Sequence, residues 1–195
     1  MATKTKQWLI LSLILAVFII PMVGAYITYR IYEENAFGTT NHGVLVKPAI
    51  NLKNFNIVTS DAKIQSISQL TRMNGQDRWI LIYFAPGVCG EICMQFSYYL
   101  NQITIAMGKN RPNLFTLIVQ PKMSQRPPHK QSEVSYAVAD GADLQDIFTV
   151  IPMHYRPAAT GAAYLIDPRG YLMMYYAIDV KPDDILKDLQ HLIRS

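Results

Sequence analysis

The run "WILIYF", Trp79 to Phe84, with two cysteines close behind it, limits the architecture of this chain more than any other stretch. It is short, unbroken and apolar, the mark of a strand covered on both faces. Pro86 and Gly87 end it. From Glu91 onward apolar side chains recur at Ile92, Phe96, Tyr99, Leu100, Ile103 and Met107, which is helical spacing, with Gly108 and Lys109 as stop signals. The only cysteines of the chain, Cys89 and Cys93, therefore fall at a strand-to-helix junction. Cys89 belongs to the loop and Cys93 to the first helical turn.

The elements that follow define the fold class. "NLFTLIVQ" (Asn113 to Gln120) reads as a second buried strand, so strand, helix and strand imply a right-handed parallel crossover. A proline-rich basic loop, Pro121 to Glu133, comes next, and a short helix follows Asp140 through Leu144, Ile147 and Phe148. "AAYLIDPRGYLMMYY" (Ala162 to Tyr176) reads as two strands joined at Asp167-Pro168-Arg169-Gly170, where proline and glycine suit a tight turn. Pro182, Asp183 and Asp184 open a last helix, with Ile185, Leu186, Leu189, Leu192 and Ile193 on its apolar face. Extended segments interrupted by Pro48 precede all of these, from Val44 to Ser60. This order is that of a thioredoxin-like α/β domain. It sets the thiols at the carboxyl end of the first parallel strand, where ligands and chemistry gather in such sheets.

The N-terminus bears on where those thiols work. Trp8 to Tyr29 carry no charged side chain, over about the 20 residues a helix needs to cross a bilayer. Lys4 and Lys6 precede the run, and Glu33 and Glu34 follow Arg30 closely, so the chain is expected to run from inside to outside. Trp8 at one end and Tyr26, Tyr29 and Tyr32 at the other suit the two interfaces. A cleaved signal peptide ending near "VGA" (Val23 to Ala25) is the rival reading, and continued apolar character through Ile31 favours retention. The expected organisation is a cytoplasmic stub (1–7), a transmembrane anchor (8–29), a linker (30–43) and one exported domain (44–195). A net charge of +4, with no basic stripe, excludes a nucleic-acid partner.

Export gives the cysteines several possible states: a dithiol–disulfide couple, a shared soft metal ion, a static disulfide, or two buried thiols. A helix N-terminus stabilises negative charge, which favours a thiolate, and thiolates select Cu(I). Two thiols do not complete a four-ligand zinc site. Of the four histidines, His42 falls in the linker, His129 in the basic loop and His191 on the outer side of the last helix. His154, in "VIPMHYRP", precedes the "AAYLID" strand and is the candidate third ligand. Met94 and Met153 could add sulfur, although most of the nine methionines are expected to fill gaps in the core.

"RWILIYFAPGVCGEICMQFSYYLNQI" together with "AAYLIDPRGYLMMYY" resembles the Sco/SenC family of copper chaperones and thiol reductases. Cys89 and Cys93 match the family's CxxxC motif by type, spacing and position, and "YLIDPRG" (Tyr164 to Gly170) matches its late hairpin. The resemblance implies a thioredoxin-like protein anchored in the bacterial inner membrane, with its domain in the periplasm, that assists assembly of the copper centre of cytochrome c oxidase. Its expected partner is an oxidase subunit or another assembly factor, and its expected cofactor is Cu(I). Ala159 stands where the family carries its third copper ligand, a histidine, and Ala158 where an aspartate usually accompanies it. The candidate metal set is Cys89 and Cys93 with His154, which lies five residues upstream of Ala159. A non-catalytic scaffold with a structural disulfide, or a general exported thiol–disulfide oxidoreductase, are the alternatives. An "NHG…P" segment (Asn41 to Pro48) ahead of the core resembles uncharacterised single-pass relatives found with oxidase-assembly factors.

Overall fold

A computed structural model describes residues 2–34, 41–59, 64–73, 75–121, 132–139, 141–156 and 161–193. The chain divides into two compact units, Met1–Thr40 and Asn41–Ser195.

The first unit holds one helix, α1 (Ala2–Glu34), with Pro21 inside it. Thr28 Oγ1 donates to the Gly24 carbonyl at 2.8 Å. Its described side chains are Trp8 and those of 13–28, nearly all of them exposed. Among the described residues no helix is long and apolar enough to cross a membrane. The anchor expected over 8–29 includes residues 9–12 and Tyr29, whose side chains lie outside the described set.

The second unit is built on one sheet. Its strands are β1 (Val44–Asn51), β2 (Asn56–Thr59), β3 (Ile64–Ser66), β6 (Trp79–Phe84), β7 (Leu114–Pro121), β8 (Ser135–Ala139), β9 (Ala162–Ile166) and β10 (Tyr171–Ala177). A two-stranded ribbon, β4 (Arg72–Met73) with β5 (Gln76–Asp77), stands apart. The helices are α2 (Ile67–Leu70), α3 (Glu91–Ala106), α4 (Gly141–Val150) and α5 (Pro182–Leu192). Among the described residues the sheet order is β1-β10-β9-β6-β7-β8-β2-β3. β6, β7 and β8 are parallel, and β9 runs antiparallel against the other side of β6. The expected mixed thioredoxin-like sheet is therefore present.

β6 has neighbours on both edges and apolar cover on both faces. Successive strand side chains point to opposite faces, and here Ile80, Ile82 and Phe84 enter one core while Leu81, Tyr83 and the following Ala85 enter the other. Phe96, Leu100 and Ile103 of α3 and Ile185 and Leu189 of α5 fill the Tyr83 side. Ile147 of α4 and Tyr164 of β9 belong to the Phe84 side.

His42, which the sequence reading places in the linker, contacts the last helix. Asp188 of α5 is 2 % exposed, and it accepts from the backbone amides of His42 (3.1 and 3.0 Å) and Gly43 (2.9 Å). The His42 Nδ1 lies 3.0 Å from the same carboxylate, and Tyr176 Oη donates to it at 3.3 Å. Gly43 has no room for a side chain, because a Cβ there would fall 2.4 Å from the Tyr176 ring. The "NHG" segment thus clasps the start of the domain to its last helix.

Two predictions follow from this packing. Asp188→Ala leaves four donors without their acceptor, the Gly43 amide and the Tyr176 hydroxyl among them buried, and is expected to destabilise the domain by about 3 kcal/mol, read from urea unfolding midpoints. Burial raises the pKa of the phenols of Tyr83, Tyr164 and Tyr176 well above the ordinary value, with Tyr175 adding at Tyr164 and Asp188 at Tyr176. A raised folded pKa gives stability that is full below the unfolded value of about 10 and is lost as pH rises above it. The urea midpoint should therefore fall between about pH 9 and 11, and less steeply in Tyr83→Phe.

Candidate functional site

The loop after β6 leads directly into α3, and Cys89 and Cys93 meet across that junction in a disulfide with a Cα–Cα distance of 5.2 Å. Gly90 is the N-cap of α3, with no side chain to satisfy the first amides, and Glu91 supplies a negative charge in the first turn. Cys93 is thus the third helical residue, within reach of the unpaired amides and the positive end of the helix dipole. Its carbonyl accepts from Ser97 Oγ at 2.8 Å, inside the helix.

The bridge is buried. Cys89 is 0 % and Cys93 3 % exposed, and both belong to the core on the Tyr83 side of the sheet. Tyr83 and Phe96 pack there with ring centroids 5.0 Å apart. Gly161, at a φ of +94°, presses against the end of β6, and a Cβ on it would sit 2.7 Å from the Phe84 carbonyl oxygen and 2.8 Å from Tyr83 Oη. The backbone around the sulfurs is therefore tightly seated.

Two exposed apolar side chains flank this buried bond: Val88, which the sequence reading does not single out, and Ile92, which its helical spacing sets on the apolar face of α3 but which faces outward. Val88 precedes Cys89 and is 59 % exposed, and Ile92 precedes Cys93 and is 55 % exposed. Ile92 also borders a groove of about 180 Å³ with Phe96, Tyr99, Ile178 and Val180. The signal was present: each apolar residue immediately precedes a cysteine, on the side of the chain that the core does not use.

His154 does not come together with the cysteines. It lies in a short 3₁₀ turn, Met153–Tyr155, exposed, with its ring centroid 3.9 Å from that of Tyr155. Tyr155 packs into the core on the Phe84 side, the face opposite the disulfide, and its carbonyl accepts from Tyr164 Oη at 2.6 Å. Met153 is exposed beside it, whereas Met94 packs against the cysteine core. Among the described residues no three His, Cys, Asp or Glu side chains group in a way that could hold a metal ion. Pro157, Ala158 and Ala159 lie outside the described residues, as does His129 in the basic loop. His191 is exposed on α5.

A buried disulfide between a loop and the first turn of a helix, at the carboxyl end of a central parallel strand, places the chain among thioredoxin-like proteins with a CxxxC pair. Residues 79–195 match the family described as "transmembrane-like, thioredoxin-like, C-terminal domain", and the chain belongs to that family. No curated protein matches the sequence. Among solved structures, the apo Sco1 protein from Thermus thermophilus has a TM-score of 0.58 at 15 % identity, covering 80 % of this chain and 99 % of that one. Yeast Sco1 with copper bound has a TM-score of 0.59 at 12 % identity, covering 77 % and 96 %. A putative thiol:disulfide interchange protein DsbE from Chlorobium tepidum has a TM-score of 0.50 at 14 % identity, covering 74 % and 94 %. The fold is Sco-like.

The ring closed by Cys89 and Cys93 is small, with a sequence separation of 4. Chain entropy for so short a loop gives about 2 kcal/mol, near the low end for disulfides. The Cys89→Ser/Cys93→Ser protein is accordingly expected to stay folded, with its urea midpoint lowered by an amount equivalent to about 2 kcal/mol.

Proposed function

We propose that this protein is a single-pass, membrane-anchored assembly factor of the Sco/SenC type. On this reading α1 spans the bacterial inner membrane over 8–29, residues 30–43 form the linker, and the domain over 44–195 works in the periplasm on a cytochrome c oxidase subunit or another assembly factor. The uncharged run from Trp8 to Tyr29 supports the anchor. The observation that carries the function is the CxxxC disulfide at the strand-to-helix junction of a Sco-like fold.

The chemistry assigned to the pair is thiol–disulfide exchange. One thiolate of the reduced pair attacks a partner disulfide, forming a mixed disulfide and releasing a partner thiolate. The second cysteine then displaces the partner's other sulfur and closes the Cys89–Cys93 bond. Two electrons and two protons pass to the partner in total. With both sulfurs buried, the exchange requires the loop at Val88 to give way as the partner docks. Cu(I) suits the reduced pair, which would supply two soft ligands. No third His, Cys, Asp or Glu joins them among the described residues.

The burial of both cysteines favours a second reading, a scaffold held by a structural disulfide. Equilibration of the purified protein with thiol redox buffers separates the two. Exchange chemistry predicts a reduction potential above about −300 mV, and in cells of the source organism a loss of oxidase activity in the Cys89→Ser/Cys93→Ser strain at normal protein abundance. A potential below that value, with oxidase activity intact in the double variant, would establish the scaffold.

A further inference from the structure

A cavity of about 480 Å³ opens at the end of the sheet away from the disulfide. It lies where β6 and β7 begin, since Trp79 pairs with Leu114 there and the cysteines follow the far end of β6. Arg78, Arg111, Glu133 and the hydroxyls of Thr104, Thr116 and Ser135 line it. Arg111 is engaged by the Glu133 carboxylate, whose own backbone amide donates to Asn101 Oδ1 at 2.9 Å. Arg78 is different: its Nε is buried and has no acceptor among the described residues. A buried donor left unpaired is destabilising, and more so when it is charged.

The hydroxyls do not supply what Arg78 lacks. Thr104 Oγ1 donates to the Leu100 carbonyl at 2.7 Å, so in its 2.7 Å contact with Thr116 Oγ1 it is the acceptor. Both protons are thereby committed, to α3 and to Thr104, and the remaining lone pairs do not reach Arg78 Nε, which has no partner among the described residues. Charge favours an anion. Arg78 and Arg111 stand against Glu133, and the same 3₁₀ turn that carries Arg111 (Gly108–Asn113) adds Lys109 with no acidic residue. The C-terminal end of α3 offsets about half a unit of this, and the balance remains positive. From these observations we propose that the cavity binds a small oxyanion, a carboxylate or phosphate group, through the guanidinium groups of Arg78 and Arg111.

The test is calorimetric titration and thermal unfolding of the purified full-length chain with inorganic phosphate or succinate at constant ionic strength, with chloride as the control. Binding predicts a saturable rise in Tm with one or both oxyanions and none with chloride, and the more potent of the two identifies the source chemistry. Arg78→Gln and Arg111→Gln should each weaken binding about tenfold or more, the loss of a charge-assisted hydrogen bond. Arg78→Gln should leave the unliganded Tm unchanged or raised, because it removes a buried unpaired donor. The proposal is overturned by an absence of oxyanion-specific stabilisation, or by equal stabilisation in both variants. A lower unliganded Tm in Arg78→Gln with an undiminished oxyanion response would also overturn it, and would make Arg78 a cap for the end of α3.

Discussion

The double burial of β6 is the constraint on which the rest of the domain depends. One six-residue strand divides its side chains between two cores and pairs along both edges, with β7 and β9. Moving it by one residue would exchange Ile80, Ile82 and Phe84 with Leu81, Tyr83 and Ala85 and misfit both cores together. The strand is therefore fixed in register, and the point where it ends is fixed with it. The cysteine loop starts from that end, so the thiols are positioned by a rigid element rather than by the loop itself.

Position does not by itself make the sulfurs reactive. The first turn of α3 favours negative charge at Cys93 by about 0.3–1 kcal/mol, the usual worth of a helix end. Full burial among Tyr83, Phe96 and Leu100 opposes that charge, and the cost of an unpaired buried ion exceeds a helix-end contribution. In the closed fold the neutral states, disulfide or dithiol, are therefore the stable ones. Exchange chemistry at this site would require contact with a partner, and the exposed Val88 and Ile92 on either side of the bridge are the surface such contact would meet first.

Much of this was legible in the sequence because the determining patterns are local. The unbroken run at Trp79–Phe84, the 3.6-residue spacing after Glu91 and the Asp-Pro-Arg-Gly turn each reveal their element without reference to the rest of the chain. β8 was missed because "SYAVA" is short and partly made of alanine, with little apolar contrast to mark it. α2 and the β4–β5 ribbon were missed because elements of four and two residues show no period. The distance between His154 and the cysteines' core was not legible either. It depends on which face of the sheet Tyr155 enters, and that is decided by β9 and β1 rather than by the turn that carries the histidine.

The clasp at Asp188 was the largest omission, and it left a trace. Asp188 stands three residues after Ile185 and four before Leu192, on the apolar face of α5, where a charge requires a buried partner. The partner could not be read, because it is mostly backbone and lies 146 residues away in sequence. That choice of donor has a structural consequence. An apolar contact at the start of the domain would tolerate sliding, since hydrophobic burial has little directionality. A carboxylate held by two consecutive amides, an imidazole and a phenol is satisfied in one backbone position only, and a one-residue slip would leave a buried charge short of donors. The chain is thus fixed in place at His42 and Gly43, just before β1 forms the edge of the sheet against β10.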